Sequence, residues 1–162
     1  MNGGVQSHVN LLKAQGPRSA YHDEYYTPAP LVKSLGRFDL DPCAAETTRH
    51  AKTNWRKKHD GLNRAWRGRV WLNAPYSTLD KWLEKFIAHG NGIALVNARC
   101  ETKWFQQLAA ASHAVLFPNF RIKFFDGVRR RVQQPTIGSA LFAIGGGEFC
   151  RPETIWNHRN YL

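Results

Sequence analysis

Residues 69–77 read Arg-Val-Trp-Leu-Asn-Ala-Pro-Tyr-Ser. The run from Arg69 to Leu72 is short, apolar and rich in β-formers, so it reads as a buried strand; Asn73 to Ser77 is a polar turn carrying an aromatic. Beyond it Leu79, Trp82, Leu83, Phe86 and Ile87 recur at three- and four-residue spacing, the mark of an amphipathic helix. A strand, a turn and a helix in this order make the start of an α/β unit. In open parallel sheets such a turn, at the carboxyl end of a strand, is where ligands bind.

An amide followed by proline and tyrosine has a chemical use at that place. The Asn73 side chain offers a carbonyl acceptor to an exocyclic amine, the main-chain carbonyl of Ala74 offers a second, and Tyr76 offers a face on which a planar base stacks. Taken alone, the tetrapeptide also reads as a plain turn with a half-buried tyrosine.

Further strand candidates alternate with helices on both sides of this unit: Arg37 to Asp41, Gly92 to Val96, Ala114 to Phe117 and Ser139 to Ile144. Thr102 to Ser112 is alanine-rich and reads as a helix whose Trp104 and Phe105 belong to the core rather than to a stacking platform. Thr27 is expected to cap a helix that has Pro28 in its first turn and runs to about Leu35. The alternation predicts an α/β sheet. Residues 1–21 are polar and Gly-bearing and read as a loosely ordered arm, leaving 22–162 as one domain.

The composition sets the partner class. Of 162 residues, 23 are Lys or Arg and 12 are Asp or Glu, a formal charge of +11, so a polyanion is the expected partner. The positive charge is concentrated. Thr47 to Arg69 holds Arg49, Lys52, Arg56, Lys57, Lys58, Arg64, Arg67 and Arg69 against the single acid Asp60, and Asn119 to Thr136 holds Arg121, Lys123, Arg129, Arg130 and Arg131 against Asp126. Interleaved Trp55 and Trp66 favour nucleic acid over a merely solvated face, with Arg56, Lys57, Lys58, Arg121, Lys123 and Arg129 to Arg131 as the DNA-contact candidates. Cys43, Cys100 and Cys150 are odd in number and widely spaced, and the seven histidines show no ligand spacing, so neither a disulfide framework nor a metal site is expected. No stretch is apolar enough for a signal peptide or a membrane span, which predicts a cytoplasmic protein.

Several motifs occur in a fixed order: Tyr26-Thr27-Pro28, Phe38-Asp39-Leu40-Asp41, Asp60-Gly61-Leu62, Trp66, and Asn73-Ala74-Pro75-Tyr76-Ser77. Lys103-Trp104-Phe105, Phe120-Arg121-Ile122-Lys123-Phe124 and Gly138-Ser139 follow. Across about Glu24 to Ile144 the chain thus resembles the phage-type DNA N6-adenine methyltransferase (Dam-like) family. The resemblance implies a small, doubly wound, mostly parallel Rossmann-like sheet with a late antiparallel strand. It implies S-adenosylmethionine as cofactor, DNA with a flipped adenine as substrate, and a phage-borne enzyme working in the cytoplasm of a bacterial host.

On that resemblance Asn73, Ala74, Pro75 and Tyr76 are the catalytic motif. Thr27, Pro28, Asp39, Asp41, Pro42 and Asp60 fall on the cofactor side, with Asp41 facing the cationic methionine part and Asp60 the cofactor's adenine amine. Two departures stand out. Ala74 replaces the family's usual proline, keeping the backbone carbonyl but not the rigidity, and Cys43, Ala44 and Ala45 stand where glycines are usual. These departures sustain the alternative of a catalytically silent, basic nucleic-acid-binding module; a basic RNA-binding role is weaker, because it leaves the Asn73 motif without a use.

Overall fold

The computed structural model describes residues 25–126 and 131–145. The expected arm at 1–21 lies outside these residues. A six-stranded sheet is ordered β3-β2-β4-β5-β9-β6, from β2 (Leu40–Asp41), β3 (Thr53–Asn54), β4 (Val70–Leu72), β5 (Gly92–Asn97), β6 (Ala114–Leu116) and β9 (Ser139–Ile144). Strands β3, β2, β4 and β5 pair in parallel, and β9 pairs antiparallel with both β5 and β6. The expected α/β class with one late antiparallel strand is what the chain forms.

Alternation along the strands splits the core in two. Val70 and Leu72 of β4, Ala94 and Val96 of β5, and Phe142 of β9 face Trp82, Leu83 and Phe86 of α2 (Leu79–His89) and Phe105 and Leu108 of α3 (Lys103–Ala111). The intervening Trp71, Ile93, Leu95 and Leu141 face the other way, onto Leu31 and Val32 of α1 (Ala29–Ser34) and onto Ile122 and Phe124. Burial on both faces explains why β4 and β5 are continuous apolar runs rather than alternating ones. Helix α2 stops at Gly90, whose φ of 74° puts it in the left-handed region and whose N–H closes on Phe86 O.

The second face departs from a regular doubly wound arrangement. It is covered by the short α1 and by a three-stranded antiparallel sheet, β1 (Tyr25–Tyr26), β7 (Phe124–Asp126) and β8 (Arg131–Gln133), in the order β1-β7-β8. Thr27 does not cap α1. That helix begins at Ala29 with Pro28 in the cap position and no side-chain cap hydrogen bond, because the buried Thr27 hydroxyl is engaged elsewhere.

From β2 the chain passes first to β3 on one side and then to β4 on the other, so the strand order reverses between β2 and β4. Crevices at such a reversal open at the carboxyl ends of the strands. There Asp41 ends β2, Asn73 follows β4 and Asn97 ends β5. Phe86, fully buried between α2 and the sheet, anchors this layer. Phe86→Ala should cost about 3–5 kcal/mol, read as a lower urea midpoint with an unchanged slope; a loss below about 1 kcal/mol would place Phe86 outside the packed core.

Candidate active site

Asn73 is held by its own amide. Its Nδ2 donates to Thr27 Oγ1 at 3.0 Å and to the main-chain oxygen of Tyr25 at 3.3 Å. A carbonyl only accepts, so the amide nitrogen must face Tyr25, and this settles which way the side chain lies. Oδ1 takes no hydrogen bond among the described residues.

Ala74 follows, buried, and Pro75 at φ −58° enters a single 3₁₀ turn, Tyr76–Thr78, that leads into α2. The Tyr76 hydroxyl accepts from the Asn97 N–H at 2.5 Å, tying the end of β4 to the end of β5. Burial pushes this phenol up to about 12, against the opposing pull of the Asn97 N–H and the Arg99 charge, so it stays protonated at neutral pH. The residue as a whole remains 39% exposed. Asn73, Ala74 and Tyr76 line a cleft of about 990 Å³ whose other walls include Tyr25, Phe124, Asn97, Arg99, Lys81 and Trp104.

Beside the cleft the β2 end is joined to Asn73 through Cys43, whose Sγ donates to the Asn73 main-chain oxygen at 3.5 Å. Its N–H meets Asp41 Oδ1 at 3.2 Å. Asp41 is buried, and desolvation lifts its carboxyl from the ordinary 3.8 to about 7, outweighing the Cys43 N–H that lowers it. Burial, then the neighbouring Asp41, pushes the Cys43 thiol well above its ordinary value, so it is an unreactive thiol. Gly61 lies against Pro42 so closely that any side chain there would run into the Pro42 carbonyl oxygen. Trp66 Nε1 fastens the same turn by donating to Gly61 O at 2.8 Å. The Asp60-Gly61 turn is thereby pressed onto the Asp41-Pro42 end of β2, with Asp60 itself exposed and accepting from Asn63 Nδ2 at 2.7 Å.

Two expected site residues are elsewhere. Asp39 lies just before β2, at the amino end of the sheet, where its Oδ2 accepts the Arg69 N–H at 2.8 Å, so it shares neither the strand nor the site of Asp41. Arg56 is buried rather than displayed: its Nη2 donates to Thr48 O at 3.1 Å and its Nε lies 3.9 Å from Glu46, which makes it a brace for the loop after β2. Lys57, Lys58, Arg121, Lys123 and Arg131 are exposed, although Arg121 also donates to Thr136 O at 2.6 Å. Arg129 and Arg130 lie outside the described residues. Pro28 sits beside Thr27 at the head of α1.

Several cleft residues escaped the sequence reading. Asn97 ends a parallel strand and Arg99 follows it, much as Asn73 follows β4, and the same rule would have found them. Trp104 packs on the core and also lines the cleft. Tyr25 and Phe124 carry no local signal. Among the described residues no three His, Cys, Asp or Glu side chains are grouped to hold a metal ion, and no helix is long and apolar enough to cross a membrane.

At the carboxyl ends of β2 and β4 the α/β domain thus presents a buried carboxyl, an oriented amide and a partly exposed tyrosine, where ligands of open parallel sheets bind. Residues 16–157 match the family model of DNA N-6-adenine-methyltransferase (Dam), and the chain belongs to that family. It is similar to the DNA N-6-adenine-methyltransferase of Escherichia phage T1, 31% identical over 105 residues. The aligned stretch takes in 59% of this chain and 44% of the relative, less than half of that protein's length. No solved structure matches.

Asp41 gives the site a pH signature. A carboxyl that binds its proton more tightly folded than unfolded lowers stability as pH rises from 3.8 to about 7, and the loss levels off above that. Asp41→Asn keeps an acceptor for the Cys43 N–H without the charge. It should match the wild type near pH 4 and exceed it by a few kcal/mol near pH 8 in urea unfolding; parallel pH profiles would contradict the assignment.

Proposed function

We propose that the chain is an S-adenosylmethionine-dependent DNA methyltransferase that acts on the N6 amine of adenine, with the end of β4 as its active site. One observation carries the reading: the Asn73 amide is fixed by the two hydrogen bonds it donates, leaving its carbonyl oxygen without a partner among the described residues, in a cleft beside Tyr76. An adenine amine donating to Asn73 Oδ1 and to the Ala74 carbonyl oxygen is pulled toward tetrahedral character, which frees its lone pair for attack. Tyr76, tethered through its hydroxyl to Asn97, gives the base a face to stack on. Replacement of proline by Ala74 leaves the required carbonyl, and Pro75 still fixes the turn that follows.

The residues at the end of β2 fit a cationic, nucleoside-bearing cofactor. A buried carboxyl at Asp41 has one hydrogen-bond donor beside it among the described residues, a setting in which a nearby cation is favourable. The Asp60-Gly61 turn lies against Pro42 with an exposed carboxylate, bonded to Asn63 through one oxygen, that has acceptor capacity left for an amine. Asp41, Pro42 and Asp60 would hold S-adenosylmethionine, with Pro28 at the adjoining head of α1. Bound there, the cofactor supplies an electrophilic methyl group on a sulfonium centre. The strand order, with antiparallel β9 between β5 and β6, supports a Rossmann-like methyltransferase fold.

DNA is the substrate that suits the charge. Reaching a paired adenine amine requires flipping the base, at a cost of a few kcal/mol. Exposed Lys57, Lys58, Lys123 and Arg131, with Lys81 and Arg99 at the cleft, offset that cost through phosphate contacts. A phage relative supports a working place in the cytoplasm of a bacterial host.

Asn73→Ala tests the reading. Methyl transfer from labelled cofactor to unmodified DNA should fall by about 10²–10³-fold, while DNA affinity at fixed salt stays within about twofold. Transfer that survives the substitution would move the active site away from β4. A wild type that binds DNA but neither binds cofactor nor transfers methyl would be the silent module.

A further inference from the structure

The resemblance puts Thr27 on the cofactor side, but the hydrogen bonds give it another task. We propose that Thr27 is the positioning residue of Asn73, setting which end of the amide faces the base; this rests on the reading of Asn73 as the catalytic amide. The torsion that turns an asparagine amide is broad and nearly two-fold, so the side chain by itself has little preference for carbonyl or NH₂ in the cleft. For an incoming amine the two ends are opposites. The carbonyl accepts its proton, whereas the NH₂ group meets it donor to donor.

Two acceptors break this symmetry, Thr27 Oγ1 at 3.0 Å and Tyr25 O at 3.3 Å, both behind Nδ2. The shorter of the two comes from a side chain that is only 4% exposed, so water does not compete for it. Thr27 is itself held in place. Pro28 restricts it to extended backbone, α1 starts just beyond, and Tyr25 before it is paired through β1 to Asp126 of β7. The clamp therefore spans 46 residues of sequence and joins the second face of the sheet to the end of β4.

This explains the misplaced cap. A threonine before a proline at a helix start is expected to turn its oxygen onto the helix N–H groups; here no such bond forms and the oxygen serves Asn73. The hydroxyl's own proton meets no acceptor among the described residues, so a cofactor contact through that proton is the competing role, and the two roles separate in kinetics.

Thr27→Val removes the acceptor at nearly constant volume, and Thr27→Ser keeps it. With labelled cofactor and DNA, the valine variant is expected to lose about tenfold or more in kcat, with cofactor Kd within about twofold of wild type, and the serine variant to recover most of the rate. Loss of cofactor affinity at unchanged kcat would overturn the proposal in favour of a cofactor ligand. The side-chain amide signal of Asn73 in ¹H–¹⁵N spectra, assigned by its absence from Asn73→Asp, reads the contact without any turnover. In the wild type its protons should exchange slowly, and they should shift in the valine variant. Exchange as fast as that of the exposed Gln107 would overturn the clamp even where the valine variant does not fold. A wild type that transfers no methyl group would instead overturn the proposed function, and the amide signal alone then decides whether Thr27 holds Asn73.

Discussion

The confinement of β4 between β2 and β5 governs the rest of the molecule. The strand has only three residues, yet Val70, Trp71 and Leu72 are all essentially excluded from solvent because layers cover both faces of the sheet. Val70 to Leu72 lie in parallel register with Gly92 to Ala94, and Val70 is paired with Leu40 on the other side. A one-residue slip would exchange Trp71 with its neighbours across the sheet and bring large side chains into the wrong layer. Register is therefore fixed by packing, and with it the point at which Asn73 leaves the sheet.

At that edge the polar groups are less comfortable than those of the core. Asp41 is buried with one N–H for its carboxyl, and the Asn73 oxygen stands without a protein partner among the described residues. A buried carboxyl so sparsely compensated lowers stability at neutral pH, and such groups cluster at functional sites. The surroundings are built to keep them so: Cys43 links the two strand ends, Gly61 allows the Asp60 turn to close on Pro42, and Tyr76 is moored to β5. In the proposed function, this rigidity would let the cleft meet a base without first reorganising.

Much of this was legible in the sequence because it is local. The strand, turn and helix from Val70 to His89 follow from hydrophobic period and length, and the carboxyl-end rule then picks out Asn73 and Tyr76. The second, small sheet was not legible, since Tyr25 pairs with Asp126 across most of the chain and strands of two or three residues show no period. The run Phe38-Asp39-Leu40-Asp41 reads as strand throughout, whereas the strand starts only at Leu40 and Asp39 turns to the Arg69 N–H at its amino end. Arg56 looked like one more cation of a solvated run, whereas it is buried and its guanidinium donates to the Thr48 main-chain oxygen. Thr27 carried the signature of a cap, and only the fold reveals the amide that competes for its oxygen.

Asn73 Oδ1 and the Ala74 carbonyl would accept from any exocyclic amine, cytosine's as readily as adenine's, so the base that receives the methyl group is the most direct question to ask. Unmodified DNA incubated with the protein and methyl-labelled S-adenosylmethionine, then digested to nucleosides and separated, answers it. The account predicts that the label runs with N6-methyladenine. Label in N4-methylcytosine, in a ring-methylated base, or in no nucleoside at all would contradict it.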